Sequence, residues 1–280
     1  FKAAFIFIFS GYGTKMGVAP MHTWLPDAHS ESPALVSTLL SGALLNCAFL
    51  GIYRLQQLAL AAGFADFSRD LFTLFGLASM GLAAMFIVHQ SDFKRMLAYS
   101  SVEHMGIILL GCGIGQYAAG GAMLHATFHS LTKAALFLLS GNILAAYHTK
   151  VIREVSGVLK ALPLTGILWT AAFLAISGTP PFGVFTSEFT VLRGLMQTEH
   201  VLVALLYLLF LGIIFVGMAT SCLHMIQGPP PQDLATATDG PHPGMVREIP
   251  STVLPPALLL SASLVLGLYR PDWLNALISG

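Results

Sequence analysis

Three titratable side chains share one face of an apolar segment, with His125, His129 and Lys133 standing at positions i, i+4 and i+8. At about 100° per residue, these positions fall in a stripe about 80° wide along a helix. Histidine exchanges protons near neutral pH, and desolvation can lower the pKa of a lysine into the same range. Because titratable groups are costly in an apolar segment unless they line water, the spacing favours a proton relay. The alternative is three polar groups that only hydrogen-bond to neighbouring helices.

Three further ionisable residues, Lys15, His104 and Glu188, extend this candidate relay. His104 lies about two turns into another apolar segment, from where it can continue a path toward His129. Glu188 is a carboxylate in an apolar span, which predicts a terminal proton donor or a counter-ion to a lysine, with a structural ion pair as the alternative. Lys15 stands near the end of an apolar segment, where a lysine that snorkels to the interface is the other interpretation.

Two apolar segments are interrupted by glycine and proline. Gly17 and Pro20 form the first break, just after Lys15, and the second contains Gly178, Pro180 and Pro181, just before Glu188. Proline removes a backbone donor and clashes with the preceding turn. Carbonyl groups freed in this way are tolerated in a membrane only where they are buried in protein or line a cavity. Paired breaks in two halves of a transporter indicate its pathway, whereas a proline kink that only shapes packing is the alternative.

The composition identifies the class of protein that positions these groups. Of the 280 residues, 55% are hydrophobic and 9% are charged, and the formal net charge is zero, whereas an ordinary soluble domain is about 25% charged. These values exclude a disordered chain and a basic nucleic-acid-binding protein, and they argue against a soluble enzyme. The sequence contains no nucleotide-binding or hydrolase motif and no CxxC pair, so we expect no catalytic centre, cofactor or metal in this chain.

Hydropathy predicts an all-α, polytopic membrane bundle with about eight spans, two of them broken helices. We expect one transmembrane domain over residues 1–280, with a polar loop rich in proline and glycine at 227–250. Because residue 1 is a phenylalanine inside an apolar run, we expect an N-terminal part to be missing or to lie on another chain. The predicted spans are 1–16, 34–58, 71–88, 97–114, 117–147, 162–196 (interrupted at 177–183), 201–225 and 251–269.

Loop charge predicts the orientation and the role of two polar segments. Lysine and arginine favour the loops 89–95, 148–161 and 227–250, which are predicted to lie together on the cytoplasmic side. The charged residues Asp92, Lys94 and Arg95 are interpreted as a solvated connection. The polar residues after the first break are predicted to brace it through hydrogen bonds; they are His22, Asp27, His29 and Glu31.

Four blocks of the sequence, residues 15–33, 92–106, 125–137 and 178–189, resemble a known family. It comprises the proton-translocating, antiporter-like membrane subunits of respiratory complex I, membrane-bound hydrogenases, formate hydrogenlyase and multisubunit sodium/proton antiporters. The blocks occur in the family's order. Shorter stretches at 11–15, 44–47, 100–104 and 140–143 most resemble the hydrogenase-4 and formate hydrogenlyase branch.

The resemblance implies a fold of fourteen helices with two inverted repeats of five, each holding one broken helix, of which this chain carries the last eight. It also implies that protons pass along Lys15, His104, His129 and Lys133 to Glu188, with His125 supporting the path. Many relatives carry a lysine where this chain has Asn46. We therefore expect water to bridge Lys15 and the His125/His129 stripe.

By the same resemblance, the chain is expected to be a subunit of an oxidoreductase complex in the inner (cytoplasmic) membrane of a prokaryote. Its implied partners are related antiporter-like subunits, other membrane subunits and a soluble redox arm that carries iron–sulfur clusters and a nickel–iron centre. Two alternatives stay open. One is a sodium/proton antiporter subunit without a redox partner, and the other is a membrane scaffold that no longer pumps, as Asn46 permits.

Overall fold

The chain is seen in a computed structural model that describes residues 1–231, 234 and 247–269, without the side chains of residues 116 and 117. Most of the predicted polar loop at 227–250 therefore lies outside the described residues. Regular structure in these ranges is helical, apart from one bridge between Asp92 and Val151. The helices are α1 Lys2–Met16, α2 Trp24–Glu31, α3 Ala34–Ala61, α4 Ala65–Ile87, α5 Phe93–Ile114, α6 Gln116–Tyr147, α7 Val158–Ala161, α8 Pro163–Ile176, α9 Gly183–Gln197, α10 Val201–Ile226 and α11 Pro250–Leu268.

Six helices in the described part are long and apolar enough to cross a membrane, namely α3, α4, α5, α6, α10 and α11. The predicted class, an all-α polytopic membrane bundle, is thus confirmed. The count differs from the predicted eight at the two interrupted spans. There the breaks leave shorter helices, with 15 residues in α1, 14 in α8 and 15 in α9.

The centre of the bundle is α5, because nearly all of its residues are buried between α4, α6 and α9. Glycines allow the closest approach. A Cβ atom on Gly106 of α5 would lie 2.7 Å from the carbonyl oxygen of Gly76 on α4. Small residues at such crossings are the usual way in which membrane helices pack. The consequence is that polar side chains on α5 are enclosed by protein.

Both predicted breaks are present. The first helix ends at Gly17, which adopts a left-handed conformation with φ 78°, and the chain is not helical again until α2. The second break lies between α8 and α9, where Gly178 has φ 65°. Gly183 then starts α9 against the ring of Phe128, so close that a Cβ atom would lie 2.1 Å from it.

An additional irregularity, a π-helical turn at Leu40–Leu44, interrupts α3. The hydroxyl of Ser130 on α6 donates a hydrogen bond to the carbonyl oxygen of Gly42 in this turn. The Asn46 amide donates to the carbonyl oxygen of Ala126 at 2.9 Å and to the Ser130 hydroxyl. The turn is thus held by side chains of α6.

The three loops predicted on one side meet at one end of the bundle, hereafter the loop end. Asp92 pairs with Val151, the Gly157 amide donates to the carbonyl oxygen of Gln227 at 2.8 Å, and the Thr165 amide donates to Glu248 at 2.7 Å. Their shared side is confirmed for the described parts of the loops, and its assignment to the cytoplasm stays a prediction.

Candidate functional site

Five of the six predicted path residues lie in the interior of the bundle. His104 comes from α5, His125, His129 and Lys133 come from α6, and Glu188 comes from α9, and none is more than 8% exposed. Helical spacing on α6 and the enclosure of α5 bring them together. Hereafter these five residues are the buried cluster.

A chain of hydrogen bonds crosses three helices within the cluster. His104 Nδ1 lies 2.8 Å from His125 Nε2, and His125 Nδ1 lies 2.9 Å from the hydroxyl of Ser187 on α9. Each imidazole can donate through one nitrogen and accept through the other, and the direction reverses with the tautomer. Such a chain can carry a proton from α5 through α6 to α9.

The other half of the cluster continues along α6 toward the loop end. The rings of His104 and His129 have centroids 5.3 Å apart, and neither His129 nitrogen has a hydrogen-bond partner among the described residues. Lys133, one turn further on, donates from Nζ to the carbonyl oxygen of Leu97 at 2.7 Å. Water between these side chains would complete the connection.

These contacts correct the predicted order of the path. We expected Lys133 to precede Glu188 directly and His125 only to support the path. Instead, His125 bonds to both His104 and Ser187, the neighbour of Glu188 in the chain, while Lys133 lies at the opposite end of the stripe. The spacing on α6 specifies a helix face, but not which neighbouring helix each member contacts.

Glu188 lies against the second break. A Cβ atom on Gly178 would be 2.0 Å from Oε2 of Glu188, so the carboxylate occupies the space that the glycine leaves open. A cavity of about 290 Å³ adjoins it, and Glu103, Ser177 and Tyr207 also line this cavity. The break therefore provides room for a carboxylate within the bundle.

Lys15 is the path residue that the structure does not bring into the cluster. Its side chain is exposed on the last turn of α1, and no hydrogen bond or ion pair joins it to the described residues. The water-bridged step from Lys15 to the stripe stays a prediction. Asn46 uses its amide to hold α3 against α6.

The prediction that Asp92 and Lys94 are solvated is wrong. Asp92 caps α5, accepting from the Lys94 amide at 2.7 Å, and also accepts from the Ser30 hydroxyl. Lys94 is 1% exposed and donates from Nζ to the carbonyl oxygen of Ser32, just beyond the end of α2, at 2.5 Å. A run of charged residues in a sequence predicts exposure to solvent, but here the end of α2 covers Asp92 and Lys94.

The predicted bracing of the first break is confirmed for two residues. Asp27 forms an ion pair with Arg95, and Glu31 accepts from Lys150 Nζ at 2.7 Å. The hydrogen bond from the Lys150 ammonium holds the pKa of the Glu31 carboxyl below its usual range. His29 is not a brace, because both of its ring nitrogens lack a hydrogen-bond partner among the described residues.

Two residues of the site escaped the sequence analysis. Glu103, the residue before His104, is 3% exposed and shares the cavity with Glu188. The criterion that selected Glu188, a carboxylate within an apolar span, applies equally to Glu103. Ser187 carried no signal, since an isolated serine in a membrane helix commonly bonds to its own backbone.

His104, His125 and Glu188 also satisfy the distance requirement for a metal site. Each offers one ligand atom, and these atoms lie within 4.8 Å of one another. Two imidazoles and a carboxylate form a donor set that suits a divalent transition metal. The two imidazoles already bond to each other, so the geometry is equally that of a proton path, and the expectation that this chain holds no metal stays a prediction.

Comparison with known proteins identifies the family of the chain. Over 205 residues, it is 46% identical to "Hydrogenase-4 component F homolog" of Methylacidiphilum infernorum, covering 72% of this chain and 43% of that protein. Over 291 residues, it is 30% identical to "Hydrogenase-4 component B" of Escherichia coli, covering 98% of this chain and 43% of that protein. The chain thus spans less than half the length of these relatives.

The fold matches that of a solved assembly. In the structure of the Mrp complex from Dietzia sp. DQ12-45-1b, one chain superposes with a TM-score of 0.86, covering 97% of this chain and 57% of that one at 22% sequence identity. At that identity the similarity establishes the fold. A family profile described as "NADH:quinone oxidoreductase/Mrp antiporter, TM" matches residues 1–215. The chain is therefore a multi-span membrane protein that belongs to the NADH:quinone oxidoreductase/Mrp antiporter family.

Proposed function

We propose that this chain is the proton-conducting part of a membrane subunit in an energy-converting redox complex. The observation that carries the proposal is the hydrogen-bonded link from His104 through His125 to Ser187, which joins the stripe on α6 to the helix that bears Glu188. Its members are buried, so each charge must be compensated by a neighbour or by movement of a proton.

The contacts support one order for proton movement. A proton held at Lys133 moves to His129 and His104, crosses to His125, and reaches Glu188 beside the cavity of about 290 Å³. Ser187 orients the imidazole of His125 and offers it a hydroxyl. Lys15, exposed at the first break, is the member that would couple the path to residues outside this chain.

The relatives support one kind of complex. Two of them are named as hydrogenase-4 components, which supports a hydrogenase-type complex. In that complex the partners are other antiporter-like membrane subunits and a soluble redox arm with iron–sulfur clusters and a nickel–iron centre. The membrane is the inner membrane of a prokaryote. Iron and nickel that co-purify in fixed ratio to this chain support this assignment, and their absence from an intact complex contradicts it.

Vesicles that contain the purified complex test the proton path. Lys133→Met and Glu188→Gln each remove a titratable group from the buried cluster, so we expect proton uptake to cease while electron transfer stays measurable. Lys160→Met is the matched control, because Lys160 is exposed at the loop end. Proton uptake at the normal rate in both cluster variants would contradict the proposal.

A sodium/proton antiporter without a redox partner is the second candidate, and the fold shared with a chain of the Mrp complex favours it. An acid-to-base jump across the vesicle membrane, without any redox substrate, separates the two. Proton movement that requires sodium under these conditions supports the antiporter. Proton movement that requires electron transfer and is indifferent to sodium supports the redox-linked subunit.

A further inference from the structure

His29 is a buried imidazole without a hydrogen bond. It lies on α2, its side chain is fully buried, and neither ring nitrogen has a partner among the described residues. Burying a polar group without a hydrogen-bond partner destabilises a fold. Such a group calls for an explanation, and transient water or a role in proton transfer are two of the few available.

His29 contacts the face of α6 that carries His125, His129 and Lys133. Its ring stacks on Phe137 of α6, with centroids 4.5 Å apart and planes 11° from parallel. Phe137 is four residues after Lys133, so it continues the series 125, 129, 133 on the same helix face. One helical turn, about 6 Å, therefore separates the level of His29 from that of Lys133. Burial, together with the charges of Lys133 and Lys94, lowers the pKa of the His29 imidazole to about 3, so the ring is neutral at rest and would hold a transferred proton only briefly.

The helix that carries His29 continues directly into the charged surface of the loop end. The next residues along α2 are Ser30, whose hydroxyl donates to Asp92, and Glu31, which accepts from Lys150. The Glu31 side chain is 78% exposed and the Lys150 side chain 35% exposed. Groups that exchange protons with water thus lie within two residues of His29, and the buried cluster begins one turn below it.

We propose that His29 is the proton carrier between the loop-end surface and Lys133. The proposal rests on the proposed function and extends it, because the cluster as described stops at Lys133 without a route to water at this end. Rotation of the ring away from Phe137 would turn a nitrogen toward Lys133. Water then bridges the two side chains.

Substitution in the complete complex, reconstituted in vesicles, tests this role. His29→Phe keeps the stacking on Phe137 and removes the titratable nitrogens, so we expect proton uptake per electron to fall at least roughly ten-fold, as for loss of a positioned acid–base group. His148→Phe is the matched control, because His148 is an exposed histidine at the same end. Normal uptake in His29→Phe would overturn the proposal.

Chemical rescue separates a proton carrier from a packing residue. In His29→Ala, added imidazole should restore proton uptake, whereas pyrazole, a ring of the same size that is not protonated near neutral pH, should not. Equal rescue by both rings would overturn the proposal. The amount of assembled complex is measured for every variant, and if His29→Phe fails to assemble, the comparison in His29→Ala decides.

The same vesicles distinguish this proposal from the function on which it rests. Loss of uptake in Lys133→Met with normal uptake in His29→Phe would refute the role of His29 alone. Normal uptake in Lys133→Met would refute the proton path itself.

Discussion

At the level of single residues, the second break requires that Gly178 has no side chain. Gly178 has φ 65°, and a Cβ atom there would lie 2.0 Å from Glu188 Oε2. A non-glycine residue pays about 1–2 kcal/mol for the left-handed conformation alone. The glycine thus both permits the break and leaves room for the carboxylate.

We therefore expect Gly178→Ala to lower the thermal stability of the complex and to reduce proton uptake by displacing Glu188. The control is Gly11→Ala in α1, where a Cβ atom would meet nothing within 4 Å. Alanine is favoured over glycine within a helix by about 1 kcal/mol, so the control should be neutral or stabilising. Equal effects of both substitutions would show that Glu188 does not depend on this glycine.

Lys94 supports a second prediction at this scale. Its buried ammonium donates to the carbonyl oxygen of Ser32, just after the end of α2. Lys94→Met should lower the free energy of unfolding by about 1.5–3 kcal/mol, the contribution typical of a hydrogen bond to a charged group. Thermal unfolding of the purified complex measures the change, and exposed Lys160→Met should leave the transition where it is.

Sequence spacing predicted the stripe on α6 well, because helix periodicity alone determines which residues share a face. It did not predict that His125 bonds to His104 and Ser187, or that Lys94 is buried. The hydrogen bonds of His125 and the burial of Lys94 depend on how the helices pack against one another. The misplacement of His125 in the predicted path and the solvated interpretation of Lys94 both come from this missing tertiary information.

At the scale of elements, the π-helical turn of α3 depends on α6. Ser130 is the link, since its hydroxyl donates to Gly42 and accepts from Asn46. Nothing in the sequence predicted this turn, because its extra residue is stabilised by contacts from a helix more than eighty residues away.

Ser130→Ala removes this link without changing the size of the side chain much. We expect a loss of about 1–3 kcal/mol in stability, because the Gly42 carbonyl and the Asn46 amide each lose a partner. Faster hydrogen exchange at residues 40–46 than in the wild type is the diagnostic result. Thr127→Val is the control, since the Thr127 hydroxyl bonds only within its own helix. Unchanged exchange in Ser130→Ala would show that the turn does not need it.

The brace at the first break predicts a dependence on pH. The lowered pKa of Glu31 means that its pairing with Lys150 stabilises the fold above the ordinary pKa of glutamate. That stabilisation is lost as the pH falls through the lowered value. Hydrogen exchange of residues 24–31, corrected for its intrinsic rate, should therefore increase on acidification in the wild type. Glu31→Gln should show the increased exchange at all pH values.

At the scale of the whole molecule, the fold was largely predictable. Apolar runs separated by polar loops identified the spans, and glycine–proline clusters identified both breaks, since the physical reasons for each are local. The enclosure of α5 and the meeting of three loops at one end are global properties. Those required the packing of all helices together.

The architecture places every buried titratable group of the cluster between two broken helices. His29 lies on α2, the helix that follows the first break, Glu188 lies by the second break, and α5 and α6 carry the groups between them. Broken helices supply irregular backbone deep in such a bundle, where cavities and water can form. We expect this arrangement to conduct protons through His125.

Proton uptake per electron in vesicles that hold the complete complex with His125→Phe tests this claim most directly. The substitution removes the imidazole that joins His104 on α5 to Ser187 on α9, and the exposed His224→Phe on α10 is its control. We predict that uptake falls to the level of Glu188→Gln while electron transfer continues. Wild-type uptake in an assembled His125→Phe complex would contradict the account.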